Sequence, residues 1–167
     1  MASNITVRTA KPEDVGAIQA VARRSWDAAY EGVLGDEVVN AMLEGGYAEE
    51  SLQSVIDSSV AELFVATDDD EVVGYANGEP GEEGDADAEV SVYVDPEYWG
   101  EGIGSRLLAE ATDFLAEQGI ERVRDSVLAE NEVGNAFYER HFEQVDQHEV
   151  DILGDTFTAN VYAGDIA

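Results

Sequence analysis

Val90-Ser91-Val92-Tyr93-Val94-Asp95-Pro96-Glu97-Tyr98-Trp99-Gly100-Glu101-Gly102-Ile103-Gly104-Ser105-Arg106-Leu107-Leu108 decides the fold of this chain. It reads as a β-strand, a tight glycine turn and the start of a helix. Alternation puts Glu89, Ser91, Tyr93 and Asp95 on one strand face and Val90, Val92 and Val94 on the other. Glycines at 100, 102 and 104 leave the backbone N–H groups unshielded. The helix N-terminus behind them adds roughly half a positive charge. Such a loop suits a phosphate or pyrophosphate. Taken alone, it also reads as a plain glycine-rich turn. A dinucleotide loop needs Gly-x-Gly-x-x-Gly, and Ser105 stands at the third glycine position. No Gly-Lys-Ser/Thr follows, which excludes a P-loop.

Downstream lies a second motif, Asn131-Glu132-Val133-Gly134-Asn135-Ala136-Phe137-Tyr138-Glu139-Arg140-His141-Phe142. Val133, Ala136, Phe137 and Arg140 are spaced for one face of a short helix, and Asn131 is placed to cap it. By itself Tyr138 reads as a half-buried packing aromatic.

Together the two segments resemble the GNAT acetyltransferases. In that family a Gln/Arg-x-x-Gly-x-Gly/Ala loop holds the pyrophosphate of acetyl-CoA. An Asn-x-x-Ala-x-x-(Phe/Leu)-Tyr-Glu-Lys-x-Gly-Phe segment follows it. The resemblance covers nearly the whole chain and includes Val7-Arg8-x-Ala10-x-Pro12-Glu13-Asp14 at the front. Two departures stand out. Trp99 occupies the usual Gln/Arg position, and the Gly before Phe142 is missing.

The resemblance implies an α/β (α+β) fold with a mixed central sheet flanked by helices, one domain over residues 1–167. It implies that acetyl-CoA is bound by Val92, Tyr93 and Val94 through their backbone, and by the loop from Trp99 through Gly100, Glu101, Gly102, Ile103, Gly104, Ser105 and Arg106. Arg106 and Arg140 are each read equally as phosphate contacts or as surface ion pairs. Asn131 would contact the pantetheine arm, and Tyr138 would protonate the leaving thiolate. A backbone N–H of Val92 or Val94 would stabilise the acetyl carbonyl. Glu89 stands where some members place a catalytic base, with a water relay as the alternative. Trp26 and Tyr30 share a helix face on the acceptor side, where they would line a pocket or pack on the core. The implied activity is acetyl transfer to a primary amine of a small molecule or protein. A non-catalytic acyl-CoA-binding or regulatory module on the same fold is the alternative. Family members are often homodimers, so a dimer is compatible with the resemblance.

Composition sets further bounds. The chain has 167 residues, of which 44% are apolar, enough for one core. It lacks cysteine, and His141 and His148 are isolated, so no metal is assigned. No apolar stretch reaches the length of a membrane span, and Met1-Ala2-Ser3-Asn4-Ile5 carries no signal-peptide pattern. A cytoplasmic protein is expected. Eight basic residues face 38 acids, a net charge of −30, and Lys11 is the only lysine. The acids are dispersed, which favours adaptation to a high-salt cytoplasm over binding of basic partners. Nucleic-acid binding is excluded by phosphate repulsion.

The remaining pattern predicts a strand from Ile5 to Thr9 and a helix from Pro12 to about Tyr30, broken by Gly32 and Gly35. Short helices follow over Asp36 to Leu43 and Ala48 to Val60. A hairpin pairs Leu63 to Thr67 with Val72 to Gly78 around Asp68-Asp69-Asp70. The acidic segment from Glu79 to Asp87 reads as a solvated tip. A helix over Ile103 to Gln118 ends at Gly119, Arg122 to Leu128 is a strand, and Phe142 to Leu153 with Thr156 to Tyr162 forms a closing hairpin.

Overall fold

The structure, a computed structural model, describes residues 5–30, 35–46, 48–58, 60–80 and 87–166. Gly32 and most of the acidic tip lie outside these residues.

Seven strands form one mixed sheet: β1 (Ile5–Thr9), β2 (Glu62–Asp68), β3 (Glu71–Glu79), β4 (Asp87–Val94), β5 (Arg122–Leu128), β6 (Glu143–Ile152) and β7 (Asp155–Asp165), in the order β1-β2-β3-β4-β5-β7-β6. All neighbours are antiparallel except β4 and β5. Helices α1 (Val15–Ala29), α2 (Asp36–Gly46) and α3 (Glu49–Ile56) precede the hairpin, α4 (Ile103–Glu117) connects β4 to β5, and α5 (Glu132–Glu139) follows β5.

Apolar spacing decides which faces are covered. On α1, Val15, Ile18, Val21, Ala22 and Trp26 recur at three and four residues and are buried. They pack with Leu63, Val65 and Tyr75 on one side of the sheet. On α4, Ile103, Leu107, Leu108, Ala111 and Leu115 do the same on the other side, against Phe64, Ala76, Val90 and Val123. The alternation expected in β4 holds, since Val90 and Val94 join the α4 core while Tyr93 packs on the α1 side. Burying each large aliphatic side chain contributes roughly 1.5–3 kcal/mol. β3 sits between both layers and is buried on both faces from Val72 to Ala76.

Several boundaries differ from expectation. Pro12–Asp14 is a short 3-10 turn ahead of α1, held by Asp14, which accepts from the Lys11 N–H at 2.7 Å and from Arg8 at 2.7 Å. The Arg8 guanidinium holds the Asp14 carboxyl below its usual range. Helix α3 stops at Ile56, because Ser58 Oγ accepts from the N–H groups of Val60 and Ala61 and turns the chain into β2. β7 runs on to Asp165, paired through Arg122↔Asp165.

Candidate active site

The site lies where β4 and β5 part. Their parallel register runs only from Asp87↔Arg122 to Glu89↔Arg124. Beyond it β4 stays paired with β3, for example Ala76↔Val92, and β5 with β7. The β5-facing edge of β4 therefore carries backbone polar groups with no strand opposite. A cavity of about 890 Å³ fills the gap, and Val92, Tyr93, Val94, Val127 and Leu128 line it.

At one end of the cavity is the glycine loop. Gly100 and Gly102 have φ of 83° and 84°, and Gly102 is the N-cap of α4. A Cβ at either would meet nothing within 4 Å, so the left-handed backbone, not crowding, is what requires glycine. Trp99 ties the loop to β4, its Nε1 donating to the Val94 carbonyl at 2.8 Å. Tyr98 donates to Asp68 at 2.7 Å, a bond to a carboxylate that raises the phenol to about 12. Trp99, Gly100, Gly102, Ile103, Gly104 and Ser105 all line the cavity.

The other two charged members of the expected set do not. Glu101 is exposed outside the lining. Arg106 turns back to donate to the Ile5 carbonyl at 3.2 Å on β1, so the α4 backbone faces the cavity without its guanidinium. Arg140, the second candidate cation, does line the cavity and stands 5.7 Å over the Phe137 ring. Ser105 Oγ and His141 Nε2 are 3.1 Å apart, and burial followed by the Arg140 charge lowers the His141 pKa.

Tyr138 projects from α5 into the middle of the cavity wall and is only 3% exposed. It stacks on Tyr162 and Phe142 with centroids 5.9 and 6.0 Å away. Asp125 of β5 is the ladder partner of that same Tyr162. Asp125 also lines the cavity and accepts from the Ser126 N–H at 2.9 Å. Desolvation pushes the Asp125 carboxyl up to about 7, against the opposing pull of the Tyr138 and Ser126 donors, with a smaller upward contribution from Glu89. Asp125 was absent from the expected site, yet a signal exists in the sequence. In Val123-Arg124-Asp125-Ser126-Val127 it stands between two valines on the alternating face that a core would claim.

Asn131 caps α5 as expected, Oδ1 accepting from the Gly134 N–H at 2.8 Å, while Nδ2 donates to Tyr30 Oη at 3.2 Å. Asn135 is a second organiser. Its amide donates to the Leu128 and Asn131 carbonyls and accepts from Tyr162 Oη at 2.6 Å, tying α5 to β5 and β7. The missing glycine before Phe142 is accommodated on the opposite strand. A Cβ on Gly164 would lie 2.4 Å from the Phe142 ring, so glycine there makes room for the shortened exit of α5.

Trp26 and Tyr30 both line the cavity, with ring centroids 5.0 Å apart, and Trp26 stacks on Tyr93 at 6.2 Å. They also belong to the α1 core, so they pack and line at once. Glu89 is outside the lining. Its side chain is 62% exposed and reaches toward Arg124 at 4.0 Å. Among the described residues no group of His, Asp and Glu side chains could hold a metal ion, and no helix is long and apolar enough to cross a membrane.

Comparison with known proteins accords with this geometry. Residues 24–143 match the Acetyltransferase (GNAT) family. A spermidine N(1)-acetyltransferase of Thermoplasma acidophilum is 30% identical over 146 residues, covering 81% of this chain and 85% of the relative. The crystal structure of PaiA N-acetyltransferase from Thermoplasma acidophilum, in complex with coenzyme A, superposes with a TM-score of 0.79 at 27% identity, covering 96% of this chain and 98% of that one. The ribosomal-protein-S18-alanine N-acetyltransferase of Escherichia coli shares the fold, with a TM-score of 0.71 at 18% identity over 98% of this chain and 94% of that one. By family match and by relative, the chain belongs to the GNAT acetyltransferases.

Proposed function

We propose that the chain transfers an acetyl group from acetyl-CoA directly to a primary amine. The observation that carries this reading is the continuity of one cavity from the α4 glycine loop, along the open edge of β4, to Tyr138. The N–H groups around Gly100, Gly102 and Gly104, with the positive end of α4, bind the pyrophosphate. The open edge of Val92, Tyr93 and Val94 pairs with the pantetheine amides as a strand would. One of these N–H groups polarises the acetyl carbonyl as charge develops on its oxygen. Asn131 keeps the α5 N-terminus beside the pantetheine arm.

Tyr138 donates its proton to the sulfur as the C–S bond breaks. The amine loses its proton to solvent water rather than to Glu89, which is exposed and faces Arg124. Trp26, Tyr30 and Tyr93 line the acceptor region as one cluster of rings, and an aromatic wall suits a cationic amine. The spermidine acetyltransferase relative supports a polyamine as the first acceptor to try.

The test is thiol release from acetyl-CoA in a panel of polyamines, amino acids and peptide N-termini. Tyr138→Phe is expected to keep acetyl-CoA affinity and to lose turnover by roughly 10²-fold or more. Unchanged turnover in that variant would remove Tyr138 as the acid. Binding without thiol release on any amine would favour the non-catalytic module.

A further inference from the structure

Among the described residues that line the cavity, Asp125 is the only carboxylate, and the proposed chemistry leaves it unused. It sits just past Glu89↔Arg124, the last paired position before β4 and β5 separate. It lies directly across the ladder from Tyr162, on the face shared with the buried Val123 and Val127. Tyr138 stacks on that same Tyr162 and lines the cavity together with Asp125. Their shared neighbour Tyr162 thus brings the phenol from α5 and the carboxyl from β5 to one stretch of the cavity wall. We propose that Asp125 is a relay residue, which reprotonates Tyr138 after Tyr138 has given its proton to the thiolate. This inference rests on the reading of Tyr138 as the acid.

The step balances. The amine nitrogen forms a bond to the acetyl carbon, and the C–S bond breaks. The Tyr138 proton passes to sulfur, and the Asp125 carboxyl proton passes to the Tyr138 oxygen. Asp125 is left as a carboxylate. It regains a proton from solvent, which receives the protons shed by the amine. No oxidant or further reactant is needed.

The groups around Asp125 favour this cycle. Tyr138 faces it from α5, Tyr162 from β7 and Glu89 from β4. Arg124, its neighbour on β5, reaches toward Glu89. Desolvation holds the carboxyl near 7, where it exchanges a proton readily at working pH.

The experiment compares kcat of the wild type, Asp125→Asn and Asp125→Glu from pH 5.5 to 9, at saturating acetyl-CoA and saturating amine in molar KCl. Dividing variant by wild type at each pH cancels the ionisation of the amine. The relay predicts that Asp125→Asn is slower by roughly ten- to a hundredfold below pH 7. The ratio then rises toward one as wild-type Asp125 loses its proton. Asp125→Glu keeps a carboxyl and retains part of the low-pH rate. A ratio that is flat with pH overturns the relay, as does an Asp125→Asn variant that matches the wild type throughout. Acetyl-CoA titration confirms that the asparagine variant retains the cavity, and the glutamate variant carries the comparison should it not. Tyr138→Phe, run beside them, separates the two claims. If it turns over normally, the acid reading falls and the relay with it. If it is inactive while the Asp125 ratio is flat, only the relay falls.

Discussion

Arg24 Nε and Asp95 Oδ2 lie 2.7 Å apart, joining the middle of α1 to the residue just past β4. Asp95 is buried, and its other oxygen accepts from the Glu97 N–H, so one carboxylate sets both the helix and the approach to the glycine loop. Helix α1, which carries Trp26, and the segment leading to the glycine loop are therefore fastened at one point.

Asp95→Ala removes the ion pair and the turn cap together. It is expected to cost about 2–3 kcal/mol of stability. The same change lets the loop from Pro96 to Gly102 drift, so acetyl-CoA affinity falls as well. Chemical denaturation and calorimetry of the variant read the two effects separately.

Gly102→Ala tests the loop without touching any side-chain contact. The left-handed φ of 84° costs a non-glycine residue about 1–2 kcal/mol. If the loop relaxes to relieve this, the N–H groups at the start of α4 lose their common aim. Acetyl-CoA binding is expected to weaken about tenfold or more, while the melting temperature moves by only a few degrees. Isothermal titration and thermal melting decide the matter.

Asp125 gives the fold a pH dependence of unusual sign. Its folded pKa, about 7, lies above the ordinary value of 3.8. Between those values the native state binds more protons than the unfolded chain, so this group's contribution to stability falls as pH rises. Asp14 acts oppositely. Its pKa is lowered by Arg8, and its contribution is lost as pH falls below the ordinary carboxylate range. The gain in unfolding free energy of Asp125→Asn over the wild type should therefore grow from pH 4 to 7, to on the order of 3 kcal/mol, and then level off. A constant difference across that range would show that Asp125 is not desolvated.

The net charge of −30 predicts a requirement for salt in both folding and binding. At 1 M salt the screening length is about 3 Å, against about 10 Å at 0.1 M. Raising KCl from 0.1 to 2 M is expected to raise the melting temperature and to tighten acetyl-CoA binding. Salt-independent melting would contradict the reading of the acids as a high-salt surface.

The framework of the fold was legible because local signals agreed with it. The Val90 to Leu108 stretch shows its strand, turn and helix without help, and the periodicity of α1 names its buried face correctly. The tips of elements were less legible. Val60 looks like a helix continuation but is 54% exposed, because Ser58 has already turned the chain. The extension of β7 to Asp165 depends on a partner far away in sequence, Arg122.

Within the site, backbone roles could be read and side-chain directions could not. The glycines, Asn131 and Tyr138 follow from local pattern and meet at one cavity. Arg106 sits at the expected place on α4, but its long side chain finds a carbonyl on β1 instead. Glu89 occupies the strand end expected of a base, but it lies on the still-paired part of β4, before the cavity opens. Asp125 is legible only through its place between Val123 and Val127; as one acid among 38 it is not singled out by residue type.

The most direct measurement is calorimetric titration of acetyl-CoA into the folded protein at molar KCl, with NAD as the control. The account predicts one acetyl-CoA bound per chain, no NAD binding, and loss of affinity in Gly102→Ala. A folded sample that binds no acetyl-CoA, or binds it as well with Gly102 replaced, would contradict the account of the glycine loop as a pyrophosphate site.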